Sequence, residues 1–112
     1  MSRPPDMQRV RDRVRHEVIA ALRTACARAV RDPARIEAVM LFGSLARGDF
    51  DGLSDADIAV IGDRQAFDSG VFSAFDRPVD VVAVAPARWR SADLAAGDMV
   101  ADIRAEAIPL WP

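Results

Sequence analysis

Asp55 and Asp57 stand two residues apart at the head of an apolar run, Ala56–Gly62. On a strand, side chains two apart share a face, so this spacing sets two carboxylates side by side. Like charges a few ångströms apart resist joint ionisation unless a cation lies between them. Mg²⁺ is the usual one, because it takes carboxylate oxygens together with substrate phosphate and water. Asp80 is a third acid, set among Val79, Val81 and Val82. An acid inside an apolar strand is costly unless it is paired or metal-bound. Three carboxylates at one sheet edge could hold two Mg²⁺, the arrangement that clamps attacking and leaving oxygens in phosphoryl or nucleotidyl transfer. Asp80 would then also be placed to deprotonate or orient an incoming hydroxyl.

Three apolar runs must position these acids: Ile36–Phe42, Ala56–Gly62 and Val79–Ala85, each too short for a helix and rich in β-branched residues. Only residues 43–54 separate the first two, whereas a parallel crossover normally takes a dozen or more residues including a helix, so the pair is expected to be antiparallel. That brings Gly43-Ser44 to the edge where Asp55 and Asp57 begin. The connection from Gly62 to Pro78 is long enough for a parallel crossover, which would set Asp80 facing Asp57. Residues 44–48 could form one helical turn whose first amides and Ser44 hydroxyl face the acids. Helix N-termini favour phosphate, and Gly43 allows close backbone approach. Each feature alone is weak: DxD pairs and Gly-Ser turns are common, Asp80 could be an edge-strand charge, and Arg47-Gly48 could be a surface turn paired to Asp49 or Asp51. Ser54 reads equally as a turn residue. Their joint order carries the argument.

Around these strands, Met7, Val10, Val14, Val18, Leu22, Ala25 and Ala29 recur at helical spacing. This predicts an amphipathic helix over residues 7–31, with Asp6 as N-cap and residues 1–6 as a disordered lead. His16 falls off the stripe and reads as exposed; Cys26 borders it and reads as a small core residue. The segment 63–78 has room for a short helix weakened by Gly70. A final helix is expected over residues 91–107, with Ala96, Met99, Val100, Ile103 and Ala107 inward. The fold class is α/β (α+β): a small mixed sheet of at least three strands flanked by helices, in one domain over residues 1–112 with its core at 36–110.

Composition narrows the chemistry. The 112 residues are 51% hydrophobic and 29% charged, as in a globular domain. There is no Lys, which excludes a P-loop, a Schiff-base lysine and a kinase-type phosphate lysine. One His and one Cys exclude a zinc cluster of the usual spacing within the chain. Of the 17 acids 14 are Asp, and all 15 basic residues are Arg. A net charge of −2 argues against general nucleic-acid binding, although residues 1–35 are net +5 and residues 36–112 net −7. The acidic part suits a cation site. With no secretory leader, no membrane span and one unpaired Cys, the expected location is cytoplasmic.

The stretch GSLARGDFDGLSDADIAV resembles the signature of the DNA polymerase beta-like nucleotidyltransferase superfamily, and within it looks most like the minimal, MNT-type members. Gly43, Ser44, Arg47, Gly48, Ser54, Asp55 and Asp57 fall on that motif, and Asp80 falls on the third acid; the likeness covers residues 36–110. The resemblance implies the nucleotidyltransferase fold. It also implies transfer of a nucleotide from an NTP, commonly ATP, to an acceptor hydroxyl with release of pyrophosphate. Asp55, Asp57 and Asp80 would hold two Mg²⁺, Gly43, Ser44 and Ser54 would serve the nucleotide, and Arg47 would neutralise phosphate or anchor the turn. Such proteins are frequently antitoxins of HEPN-domain ribonuclease toxins, acting by adenylylating the toxin or by occluding it. A short chain leaves little for an acceptor-binding domain, so the acceptor is expected in trans, with the basic N-terminal helix and the final helix as docking surfaces. Trp89 and Trp111 lie near that surface, though Trp89 is expected in the core. A non-catalytic antitoxin, or an enzyme acting on a small molecule such as an aminoglycoside with a homodimer completing the pocket, are the alternatives.

Overall fold

The computed structural model describes residues 5–48 and 55–112. A four-stranded sheet in the order β3-β2-β1-β4 is flanked by helices on both faces. The mixed α/β architecture expected from the apolar runs is therefore present. β1 (Ile36–Phe42) and β2 (Ala56–Gly62) pair antiparallel, and β2 pairs parallel with β3 (Val79–Val84). Both directions follow from connection length: the short link closes back on its own strand, whereas the longer one crosses over. Two short 3₁₀ turns, Arg64–Ala66 and Ser69–Ala74, fill that crossover in place of an α-helix. Asp63 and Asp68 cap them by accepting the Gln65 and Gly70 amides.

β2 is buried along almost its whole length, and its alternation divides the core. Ala56, Ile58 and Val60 pack with Val39, Leu41 and Leu45 beneath α1 (Pro5–Ala29), which contributes Ile19, Leu22, Ala25, Cys26 and Ala29. Ala59 and Ile61 turn to the other face and meet Val84, Val100 and Ile103. That second layer comes from α3 (Pro86–Trp89) and α4 (Met99–Glu106), with Trp89 packed against it as expected. His16 is exposed. Cys26 is fully buried, and burial pushes its thiol up to about 12, in line with a core residue and not a reactive one. Among the described residues, no helix is long and apolar enough to cross a membrane.

Three expectations are corrected. The N-terminal helix begins at Pro5, so Pro5 and Asp6 lie inside it and Asp6 is not its N-cap. A proline is tolerated there because first-turn amides have no intrahelical acceptor. Val10, read as part of the buried stripe, is 60% exposed, since the buried face starts only further along the helix. The final helix spans Met99–Glu106, not 91–107. Gly97 takes φ +86°, which breaks any continuous helix, and the Asp98 carboxylate caps the new start by accepting the Val100 amide at 2.8 Å. The chain after that helix also differs from expectation. Residues Ile108–Trp111 form an edge strand, β4, antiparallel to β1, with Leu41 opposite Ile108 and Met40 opposite Pro109. An edge strand accommodates Pro109 because one of its sides needs no amide donor.

Candidate active site

The ends of β1 and the beginnings of β2 and β3 meet at one rim of the sheet. Asp57 and Asp80 are direct register partners across the parallel ladder, and Phe42 lies opposite Asp57 across the antiparallel one. Period-two alternation puts Asp57 on the face of Ala59 and Ile61, and Asp80 on the face of Val82 and Val84. The two acids thus share the face covered further along by α3 and α4. Asp55 sits one step outward from Asp57, just before the strand, and is exposed, as Asp80 is.

β1 turns away from the sheet at Gly43 and runs directly into α2 (Ser44–Arg47). The single helical turn expected after Gly43 is therefore formed. Gly43 adopts φ +80° and ψ −163°, a region open in practice only to glycine. A Cβ at this position would stand 2.3 Å from Asp57 Oδ2, so the backbone lies directly against the carboxylate. α2 closes with the Arg47 and Gly48 amides donating to Gly43 O and Ser44 O. Its next two carbonyls, Leu45 O and Ala46 O, accept from Arg15 Nε and Nη2 at 3.0 and 2.7 Å. Leu45 and Ala46 are buried, so α2 is anchored to the core below and to α1 at its end.

Two residues join the rim that spacing alone did not single out. One is Arg15, hidden in a run of helix arginines. The other is Glu106. Carrying the β1–β4 register two residues past the Leu41–Ile108 pair sets Gly43 opposite Glu106. There the side chain takes over from the ladder: Glu106 Oε1 accepts the Gly43 amide at 3.0 Å, and Oε2 accepts Arg47 Nη1 at 2.9 Å. Arg47 is about half exposed, and a pair this open to water contributes at most about 1 kcal/mol to stability. No signal in the local sequence could have placed Glu106, because it reaches the rim only through β4.

Three carboxylates and one guanidinium now set the electrostatics around Asp57. Its carboxyl is raised above the ordinary range, first by partial burial and then by the charges of Asp80, Asp55 and Glu106, with Arg47 partly offsetting them. Such a rim gains from a positive charge. Among the described residues, no three acidic, His or Cys side chains form a ready-made metal cage. That still fits Mg²⁺, which is commonly bound through one or two carboxylates with phosphates and waters completing its shell. Ser44 occupies the first position of α2. Ser54, Asp49 and Asp51 lie outside the described residues. A cleft of about 470 Å³ lined by Phe72, Phe75, Arg77 and Val79 opens on the α1 side of β3, the face turned away from Asp80.

A family model described as "Polymerase beta, Nucleotidyltransferase" matches residues 25–88, more than half of the chain. The matched span runs from the last turn of α1 into α3, and it contains Gly43, Ser44, Arg47, Asp55, Asp57 and Asp80. No curated protein and no solved structure matches the chain.

Proposed function

The chain belongs to the polymerase beta nucleotidyltransferase family, and from that premise we propose that it transfers AMP from ATP to a hydroxyl of a partner protein, a HEPN-type toxin that it thereby neutralises. The observation that carries this reading is the register pairing of Asp57 with Asp80 directly beside the Gly43 turn. A carboxylate pair beside a glycine turn is the arrangement that would let one substrate reach both.

Each residue then has a task. Gly43 and Ser44 receive the triphosphate, the glycine by permitting close backbone approach and the serine through its hydroxyl. Arg47 offsets phosphate charge from the end of α2. Asp55, Asp57 and Asp80 would hold Mg²⁺, which when bound neutralises charge on the phosphates and lowers the pKa of a nearby hydroxyl. Asp80, on the edge strand and exposed, accepts the proton of the incoming hydroxyl. The acceptor oxygen forms a bond to the α-phosphorus, the bond to the bridging oxygen breaks, and pyrophosphate leaves. Asp55 and Asp80 are exposed, which suits an acceptor delivered by another molecule.

Incubation of the protein with Mg²⁺, each NTP and the product of the adjacent gene tests this. Mass spectrometry should find one or more nucleotide increments on the partner, with ATP preferred, and none with Asp55→Ala or Asp57→Ala. If those two variants still neutralise the toxin undiminished, protection does not come from catalysis.

A further inference from the structure

The family match ends at Arg88, yet the chain beyond it returns to the site. α4 ends at Glu106, β4 then pairs with β1, and this pairing delivers the Glu106 carboxylate to the turn between β1 and α2. We infer that Glu106 is a positioning residue for triphosphate binding: its two oxygens hold the Gly43 amide and the Arg47 guanidinium in the arrangement that receives the phosphates.

The geometry favours this role over two others. A carboxylate blocking the phosphate seat would take the amides of the first turn of α2, which point out of the N-terminal end of the helix. Glu106 instead takes the Gly43 amide, the donor at the end of the strand, and takes none of the Ser44, Leu45 and Ala46 amides. A purely stabilising ion pair is equally out of place, because Arg47 is too exposed for the pair to add much to the fold. Bridging one backbone amide and one guanidinium spans α2 from its N-cap to its last residue, so the carboxylate fixes the turn as a unit. An Arg guanidinium is a planar fork of fixed geometry, so pairing through Nη1 restricts where the whole fork points. The C-terminal segment thus sets the geometry of a turn more than sixty residues earlier in the chain.

This inference rests on the nucleotidyltransferase reading, and its test separates the two. Mg·ATP binding is measured by calorimetry for the wild type, Asp57→Asn, Glu106→Gln and Glu106→Ala, with AMP as a competitor and circular dichroism to verify folding. Glu106→Gln keeps an acceptor for Gly43 and loses the charge facing Arg47; Glu106→Ala loses both. The expected weakening is about threefold for Gln and about tenfold for Ala, the latter matching the loss of one charge-assisted bond. AMP, which lacks the β- and γ-phosphates, should compete with unchanged affinity. Turnover should show the loss in KM more than in kcat. Unchanged ATP affinity in both variants overturns the inference, as does tighter ATP binding, which would mean the carboxylate blocks the seat. Equal weakening for ATP and AMP also overturns it, since that is general loosening of the fold. A wild type that fails to bind Mg·ATP removes the proposed function, and this inference with it.

Discussion

Replacing Gly43 by alanine tests the closest contact in the site, and Gly97→Ala is its matched control. Both glycines have positive φ, +80° and +86°. At Gly43 the ψ of −163° adds a region that side chains avoid, so the backbone cost is about 1–3 kcal/mol. At Gly97 it is about 1–2 kcal/mol, and a Cβ there meets nothing within 4 Å. The difference lies in what the new methyl touches. At Gly43 it would stand 2.3 Å from Asp57 Oδ2 and 3.2 Å from Asp57 Cγ, roughly 1 Å short of ordinary contact with the oxygen. The carboxylate must swing away from the turn. A displacement of that size at a reacting centre costs on the order of 100-fold in rate. Urea denaturation and nucleotide transfer to the partner are measured on both variants. Gly97→Ala should lose stability and keep transfer; Gly43→Ala should lose comparable stability and about 100-fold in transfer. Transfer by Gly43→Ala within about twofold of Gly97→Ala, with the stability losses as stated, would refute the claim that Asp57 must rest against the turn.

Asp57→Asn should melt at a higher temperature than the wild type at pH 7 while losing transfer, because burial and then the neighbouring carboxylates make the ionised form unfavourable in the folded state. With the folded pKa raised, the wild type carries this penalty in full above that value and sheds it as pH falls toward the ordinary range near 3.9, so the two melting curves should converge in acid; a lower melting temperature for the variant at pH 7 counts against it. Asp98 and Asp68 shift the opposite way: hydrogen bonds from Arg88 and Arg31, joined by the Val100 and Gly70 amides, hold their carboxyls below the usual range. Their stabilisation is therefore present above pH 4 or so and lost as pH falls through the lowered folded values, and the melting deficit of Asp98→Ala measured at pH 7 should shrink accordingly in acid.

Which of these contacts a sequence can reveal depends on how far apart in the chain the partners are. Asp55, Asp57 and the Gly43 turn were legible because a short connection between two apolar runs admits one solution, an antiparallel return. Asp80 was legible because the longer connection admits a parallel crossover, and the register Asp57–Asp80 then follows. Glu106 was not. Residues Ile108–Trp111 are four in number and contain a proline, which is weak reason to expect a strand, and without β4 nothing brings Glu106 near Gly43. The start of α4 had left a local signal, Gly97 followed by Asp98, but alanines upstream at helical spacing masked it. Arg15 was indistinguishable from its neighbours in α1, since only the position of the α2 carbonyls gives it a different task.

The acids at the rim and the core beneath them are held in place by the same alternation. Along β2, Ala56, Ile58 and Val60 face α1, while Asp57, Ala59 and Ile61 face the side of α3 and α4. Shifting β2 by one residue would exchange these sets. It would drive Asp57 into the layer formed by Leu41, Leu45 and Leu22, where an unpaired carboxylate is prohibitively costly, and it would turn Ile58 and Val60 outward. β3 obeys the same constraint: Val79 and Val81 pack toward α1 and Asp80 lies on the opposite face with Val82 and Val84. The two carboxylates are thus kept on one face by hydrophobic burial further along their own strands. α3 and α4 cover the distal part of that face by packing Trp89, Val100 and Ile103 against Ala59, Ile61 and Val84, while Asp55 and Asp80 at the rim stay exposed. Stability is supplied by the middle of each strand while the acids occupy its first residues, which is how so small a sheet can keep several negative charges together without unfolding.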